Sequence, residues 1–171
     1  MILTGNEIKK RLGNDIVIEP FVEDQLNPNS YNLKLHNELM IYKADILDAK
    51  ANNETKIIKI PDNGLILEPG QLYLARTFEY TETRNLVPMI LGRSSVGRLG
   101  ITVHITSGFG DIGFCGYWTL QLTCIKRVCI YPNMKICQIF YHDILGEHKD
   151  YSSSKYQKSD GIMPSQLYKE L

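Results

Sequence analysis

The chain has 171 residues, of which 43% are hydrophobic and 22% charged, and its formal net charge is zero. This length suits one domain with a sizeable core, and the balanced charge excludes a general basic surface for nucleic acid. We therefore expect a single domain over residues 1–171 and no nucleic-acid partner. Any site for a polyanion must be local.

Targeting and metal signals are sparse. No segment approaches the roughly 20 apolar residues that a membrane span needs, and the N-terminal residues resemble no signal peptide. The four cysteines, Cys115, Cys124, Cys129 and Cys137, form no CxxC pair and no regular zinc spacing. We expect structural thiols like other buried free cysteines, no zinc, no membrane partner, and a cytoplasmic, reduced protein.

The first predicted element is a short helix near the N-terminus. Thr4 is a cap candidate, and Glu7 follows it at the spacing of a capping box. Ile8 and Leu12 share one helical face, and Gly13 is a typical stop.

Short strand-like runs follow from residue 16 to residue 144, separated by Gly, Pro and Asn. Turns are predicted at Pro69–Gly70 and at Pro132–Asn133, and both look like hairpin connections. So many short strands favour an antiparallel barrel or sandwich. Residues 150–171 are polar and rich in Ser and Lys, which predicts a mobile tail whose last eight residues could close as a short helix.

The segment GRSSVGR, Gly92 to Arg98, carries two arginines, two hydroxyls and two glycines directly after the apolar run LVPMIL. Guanidinium groups and hydroxyls bind phosphate oxygens, and glycine lets backbone N–H groups approach them. The motif therefore indicates a polyphosphate site. A strand-ending loop with two solvated arginines is the alternative interpretation.

Three segments together make a more specific signature: GRSSVGRLGITVHITSGFGDIGFCGYWTLQL, YPNMKICQIFY and KYQKSDGIMPS. They resemble the dCTP deaminase family within the trimeric dUTPase superfamily, and MILTGNEIKKRL and LNPNSYNLKL are similar to the family's start. The resemblance implies a mainly β fold, a distorted antiparallel β-barrel with a short N-terminal helix. It also implies a homotrimer with sites between subunits, residues 150–171 as a flexible closing segment, and a deoxypyrimidine nucleoside triphosphate ligand carrying Mg²⁺ on its phosphates.

The family reaction is deamination without zinc. A strand glutamate takes a proton from the water that attacks C4 of cytosine, so dCTP and water give dUTP and ammonia; some members continue to dUMP and diphosphate. By resemblance, catalytic positions fall on Ser94, Arg98 and Gln121, and no residue is assigned as a metal ligand. The implied nucleotide-binding set is Arg93, Ser94, Ser95, Arg98, Thr106, Ser107, Asp111, Gln121, Tyr151, Lys155 and Tyr156.

Three positions depart from the family pattern. Gln121 stands where the glutamate is expected, Asn32 where an aspartate is expected, and Ser159 where the tail has a glutamine. An amide does not titrate near neutral pH, so Gln121 cannot accept a proton from water. Gln121 and Asn32 keep the shape and hydrogen bonding of the acids while losing their charge, which lessens repulsion of an anion. The alternatives are drift at unneeded positions and, for Gln121 alone, an engineered substitution that traps substrate.

Two functional hypotheses follow. One is an enzyme, a dCTP deaminase that could also hydrolyse dUTP. The other is a catalytically silent relative that binds and sequesters a nucleotide or nucleotide signal, in regulation or phage counter-defence.

Strand alternation also places Tyr117, Thr119 and Gln121 on one face, with Trp118 on the other face and in the core. His104 is read as a structural residue.

Overall fold

The computed structural model describes residues 1–106, 108–149, 151–152 and 154–171. Its first helix, α1, spans Gly5–Lys10, and the hydroxyl of Thr4 accepts a hydrogen bond from the Glu7 amide at 3.3 Å. Gly13 follows in the left-handed region with φ +81°. The predicted helix and its cap are confirmed, and the helix ends at Lys10, before Leu12.

Twelve strands lie in these described ranges. They are β1 Ile16–Glu19, β2 Tyr31–Tyr42, β3 Thr55–Lys59, β4 Leu65–Leu67, β5 Tyr73–Thr77, β6 Tyr80–Thr83, β7 Leu86–Gly92, β8 Ile101–Thr102, β9 Cys115–Gly116, β10 Thr119–Cys124, β11 Val128–Ile130 and β12 Lys135–Asp143. A second short helix, α2, spans Ser94–Gly97, and 3-10 turns occupy Glu23–Gln25 and Leu167–Lys169.

The strands form three sheets. The largest has the order β7-β12-β2-β5-β10-β8, with β3 also paired to β2, while β1-β6-β9 and β11-β4 form smaller sheets. The pairings between these strands are antiparallel. Together they make a nearly closed antiparallel β-barrel, which confirms the predicted mainly β architecture.

The core is formed by the apolar faces of the central strands. Leu33 and Leu35 of β2 and Leu120 and Leu122 of β10 belong to the same core cluster, and none of the four is exposed to solvent. Burying each such side chain contributes roughly 1.5–3 kcal/mol. This burial anchors β10 in the core, and its other face carries Thr119 and Gln121.

The face assignment along β10 is confirmed. Thr119 and Gln121 are half-buried, whereas the intervening leucine is fully buried. Trp118, just before the strand, is only 7% exposed, and its indole N–H donates to the Thr81 hydroxyl at 2.9 Å. The ring of Phe114 lies 4.5 Å away between centroids.

The two predicted turns are present, but they are not hairpin connections. Gly70 and Asn133 take positive φ values of +79° and +62°. The strands before the turns, β4 and β11, pair with each other, and those after them, β5 and β12, belong to the large sheet. Each turn therefore carries the chain from one sheet to another, because the pairing partners of β4 and β11 lie far apart in sequence.

The cysteines are free thiols. Cys124 and Cys137 are buried as expected, and burial raises the pKa of both thiols. Cys129 is exposed, so the prediction of a packed thiol is wrong there. Within the described residues, no helix has the length and apolar character needed to cross a bilayer.

Candidate functional site

A cavity of about 490 Å³ lies between strand β10 and the C-terminal tail. We call it the Gln121 cavity, because Gln121 and Thr119 of β10 form part of its wall. Asp111 contributes a carboxylate and Tyr117 an aromatic ring. Trp118 is buried in the core as predicted, but it also borders this cavity, so the predicted separation of its face from that of Gln121 is incomplete. This mixture of flat apolar rings and few polar groups is typical of small-molecule sites.

The tail forms the opposite wall of this cavity. Tyr151, Tyr156, Ser159 and Met163 all line it. The Met163 amide donates to the Thr119 hydroxyl at 3.0 Å, which ties the tail directly to β10. The tail thus contacts the cavity-lining face of the barrel, and the short 3-10 turn near its end matches the expected terminal helix.

The backbone of Ser159 attaches the tail to strand β9. Ser159 forms a parallel bridge with Gly116, and its carbonyl accepts from the Tyr117 amide at 3.0 Å. The Lys158 amide donates to the Cys115 carbonyl at the same distance. Ser159, the position expected to be a glutamine, is buried and donates its hydroxyl to the Gly161 carbonyl at 3.0 Å.

A second cavity, of about 650 Å³, adjoins the first. We call it the Arg93 cavity, since Arg93 and Ser94 line it together with Thr106 and Gln138. The Arg93 guanidinium donates to the Lys135 carbonyl at 3.0 Å, which orients this side chain. A cation and hydroxyls in one cavity are groups that can bind phosphate oxygens.

The GRSSVGR segment, in which we expected glycine to let backbone N–H groups approach a phosphate, contains a turn of helix. The Gly97 and Arg98 amides donate to the Arg93 and Ser94 carbonyls, so these N–H groups are not available to a phosphate. Val96 is buried, and this anchor on the core closes the segment into a helical turn. Ser95 and Arg98 are exposed and line neither cavity in the single chain.

The predicted site residues therefore divide between the two cavities. Arg93, Ser94 and Thr106 line one, and Asp111, Gln121, Tyr151 and Tyr156 line the other. Lys155 lines neither cavity and pairs with Glu170 instead. Ser107 lies outside the described residues. His104 borders both cavities.

His104 was missed as a site residue. Its Nδ1 lies 2.9 Å from Oε1 of Gln121, and burial lowers the pKa of the imidazole although the hydrogen bond to Gln121 opposes this. The sequence signal was weak, because a single histidine among apolar neighbours is common in cores. The two side chains meet because the backbone N–H of Gln121 donates to the backbone carbonyl of Val103 at 3.0 Å. This bond places Gln121 beside the residue that precedes His104.

Asn32 lies away from both cavities, on β2 and within a buried polar network. Its side chain donates to the Asn27 carbonyl oxygen Oδ1 at 3.1 Å, and its backbone carbonyl accepts from Gln25 at 2.7 Å. The same Gln25 amide donates to the Glu79 carboxylate at 2.7 Å, and burial raises the pKa of Glu79. Across the sheet Asn32 pairs with Gln138, which lines the Arg93 cavity.

The described residues contain no group of three or more His, Cys, Asp or Glu side chains that could hold a metal ion. Mg²⁺ binds through few carboxylates and keeps water or phosphate oxygens as its other ligands. The described residues therefore fit an ion that a triphosphate carries. They do not fit an ion held by protein ligands alone.

The architecture defines a dUTPase-like β-barrel. The crystal structure of 2'-deoxycytidine 5'-triphosphate deaminase from Agrobacterium tumefaciens matches with a TM-score of 0.65 at 18% identity, over 82% of this chain. The chain spans about half of that longer protein, 47% of its length. A variant dUTPase from phage phi11 of S. aureus matches with a TM-score of 0.51 at 11% identity, over 84% of this chain and 99% of that one.

Sequence comparisons identify the family. A family model described as dCTP deaminase-like matches residues 2–144. The protein named "dCTP deaminase, dUMP-forming" from Clostridium beijerinckii is 61% identical over 99% of this chain and 98% of its own length. A protein with the same name from Hathewaya histolytica is 61% identical over 99% of both chains. This chain belongs to the dCTP deaminase-like family, which confirms the resemblance and its place among proteins of nucleotide metabolism.

Proposed function

We propose that this chain binds a deoxypyrimidine nucleoside triphosphate and acts in the conversion of dCTP to dUMP. The Gln121 cavity carries this proposal, because it combines aromatic walls for a base, a strand amide and a carboxylate under a tail that contacts β10. The names of relatives at 61% identity agree with it. The reactions are dCTP and water giving dUTP and ammonia, then dUTP and water giving dUMP and diphosphate.

The complete site is proposed to form between subunits of a homotrimer. Two observations support this. The predicted phosphate-binding groups do not line the Gln121 cavity, and Ser95 and Arg98 are exposed and line neither cavity. Leu91 and Ile105, which line the Arg93 cavity, are 50% and 60% exposed, and such a patch is typical of a subunit interface. A neighbouring copy would bring its arginines and hydroxyls to the triphosphate.

Each group then has a defined task. Arg93, Ser94 and Ser95 bind and orient the triphosphate, and Arg98 lies beside the reacting water. Tyr151 and Tyr156 of the tail exclude water from the bound base. Mg²⁺, when bound, would neutralise phosphate charge, and Asp111, which lines the Gln121 cavity, would border the base and sugar. The role of residues 150–171 as a flexible closing segment is part of this proposal.

The deamination step is expected to be slow. Attack of water on C4 requires a group that takes up a proton, and such catalysis typically contributes 10²–10⁴-fold. Gln121 cannot serve, and burial lowers the pKa of its partner His104, which makes this imidazole a weaker proton acceptor. This arrangement supports the second candidate, a protein that binds the nucleotide without deaminating it.

The test is an incubation of the purified protein with dCTP and Mg²⁺, following dUTP, dUMP and ammonia, together with calorimetric binding. Gln121→Glu restores a proton acceptor, and Gln71→Glu, at a glutamine that lines neither cavity, adds the same charge elsewhere. Binding with little ammonia release by the unaltered chain, and faster release by Gln121→Glu alone, is the expected result. Rapid release by the unaltered chain would eliminate the silent candidate, and absence of binding to both dCTP and dUTP would refute the proposed function.

A further inference from the structure

The contact between His104 and Gln121 decides which atoms of the Gln121 amide face the cavity. Nδ1 of His104 and Oε1 of Gln121 are 2.9 Å apart. The backbone hydrogen bond from Gln121 to Val103 at 3.0 Å holds the two segments in register, so the pair is positioned by the sheet. The amide is therefore not free to rotate.

The hydrogen on the imidazole can be assigned from burial. Among the described residues, Nε2 of His104 has no hydrogen-bond partner and is shielded from solvent. A buried N–H without an acceptor costs more than a buried lone pair without a donor, and such orphaned donors are rare in proteins. The neutral ring thus carries its hydrogen on Nδ1, and Nδ1–H donates to Oε1 of Gln121.

This leaves the NH₂ group of Gln121 facing the cavity. No described residue accepts a hydrogen bond from it. The neighbouring polar atom on this wall, the Thr119 hydroxyl oxygen, is engaged by the Met163 amide. A carboxylate in the same position would present an acceptor to the ligand, whereas the oriented amide presents only donors.

We propose that His104 and Gln121 together make the site select pyrimidine nucleotides with an oxygen at position 4 of the ring, such as dUTP, over those with an amino group there, such as dCTP. Position 4 of uracil or thymine is an acceptor, and position 4 of cytosine is an NH₂ donor. The NH₂ group of Gln121 can donate to the oxygen at position 4 of uracil or thymine, whereas it would face another donor at position 4 of cytosine. The inference rests on the proposed function, which places position 4 beside Gln121.

The expected selectivity is roughly 5- to 150-fold tighter binding of the 4-oxo nucleotide, the range expected when one buried donor is left without an acceptor. Gln121 is thereby a specificity-determining residue, and His104 is a positioning residue that acts through it. The NH₂ group of Gln121 cannot receive the proton of the attacking water. The same orientation of this amide therefore suits the site to uracil nucleotides and makes it poorly suited to deamination.

The experiment measures calorimetric Kd values for the non-hydrolysable α,β-imido analogues of dUTP and dCTP with Mg²⁺. Unaltered protein should favour the dUTP analogue at least 5-fold. His104→Phe removes the donor and should bring the ratio towards one, while His104→Asn, whose amide N–H can replace Nδ1–H, should keep it. His142→Asn, at a histidine outside both cavities, should leave it unchanged.

Equal binding, or preference for the dCTP analogue, by the unaltered chain would overturn the selectivity while leaving the proposed function standing. Failure to bind either analogue would overturn both. Nitrogen-15 NMR of the unaltered protein tests the orientation without any substitution. Shifts for a neutral ring with hydrogen on Nδ1 support it, and hydrogen on Nε2 of His104 refutes it.

Discussion

Gly116 is the position at which a single added methyl group should detach the tail from the barrel. Its φ is +136°, and a Cβ built there would lie 2.7 Å from the amide nitrogen and 2.8 Å from the carbonyl oxygen of Ser159. Both are backbone atoms, which cannot rotate away as the end of a side chain can. Gly116→Ala must therefore displace residues around Ser159.

The size of the effect follows from the bonds that the displacement breaks. The Tyr117 amide bonds to the Ser159 carbonyl, and the Lys158 amide bonds to the Cys115 carbonyl, both at 3.0 Å. At about 1 kcal/mol net for each, the tail loses about 2 kcal/mol of attachment. That is roughly a 30-fold increase in the population of the detached tail.

Hydrogen exchange measured by mass spectrometry is the assay. Peptides that contain the Tyr117 and Lys158 amides should exchange roughly 30-fold faster in Gly116→Ala, while those of the central strands change far less. Nucleotide affinity should fall too, since the tail forms one wall of the Gln121 cavity. Gly161→Ala is the matched control, because a Cβ there has no atom within 4 Å. Unchanged exchange in Gly116→Ala would refute the reasoning.

Three further predictions concern stability. Burial holds the pKa of His104 below its ordinary value of 6.5, so the unfolded chain binds a proton at this residue more readily than the folded chain does. The contribution of His104 to the free energy of unfolding is therefore complete above about pH 6.5. It declines as the pH falls toward the folded pKa, by at most about 1.4 kcal/mol per pH unit. Urea unfolding at pH 7.5 and 5.5 should show a smaller acid loss for His104→Asn than for the unaltered protein, and equal losses would contradict this. Leu120→Ala, at a fully buried position, should lower the free energy of unfolding in urea by about 2–5 kcal/mol. Ile125→Ala, at a side chain that is 77% exposed, should change it by no more than about 0.5 kcal/mol. Similar losses for the two variants would show that the burial assignment fails. EDTA should leave the Tm of the nucleotide-free protein unchanged, since the described residues hold no metal-binding cluster. It should weaken triphosphate binding, because the ion is carried by the phosphates. A lower Tm in EDTA would indicate a structural ion.

Local chemistry made several features predictable from sequence. Thr4 caps α1 because a hydroxyl three residues before a free amide can satisfy it, and this needs no distant partner. The faces of β10 follow from the two-residue period of any strand, so Thr119 and Gln121 could be assigned together. The family resemblance depended on ordered motifs along the whole chain, and it was confirmed by a match over residues 2–144.

Other features depend on which segments meet in space. The hairpin predictions failed at Pro69–Gly70 and Pro132–Asn133 because a turn motif reports local geometry, while β4 and β11 find their partners across some 60 residues of chain. The GRSSVGR segment closes into a helical turn once Val96 is buried, which its glycines did not suggest.

Sequence by itself determined the kind of chain this is: a β-barrel of the dCTP deaminase-like family with an amide in place of the expected acid at residue 121. Tertiary structure alone decided what that amide can do. His104 lies 17 positions before Gln121 in the chain and reaches it only because the two segments are hydrogen-bonded side by side. The Nδ1–H of His104 holds the side-chain oxygen of Gln121 toward the imidazole and away from the cavity. Hydrogen bonds are directional, so the groups left facing the cavity depend on that contact and cannot be read from residue types.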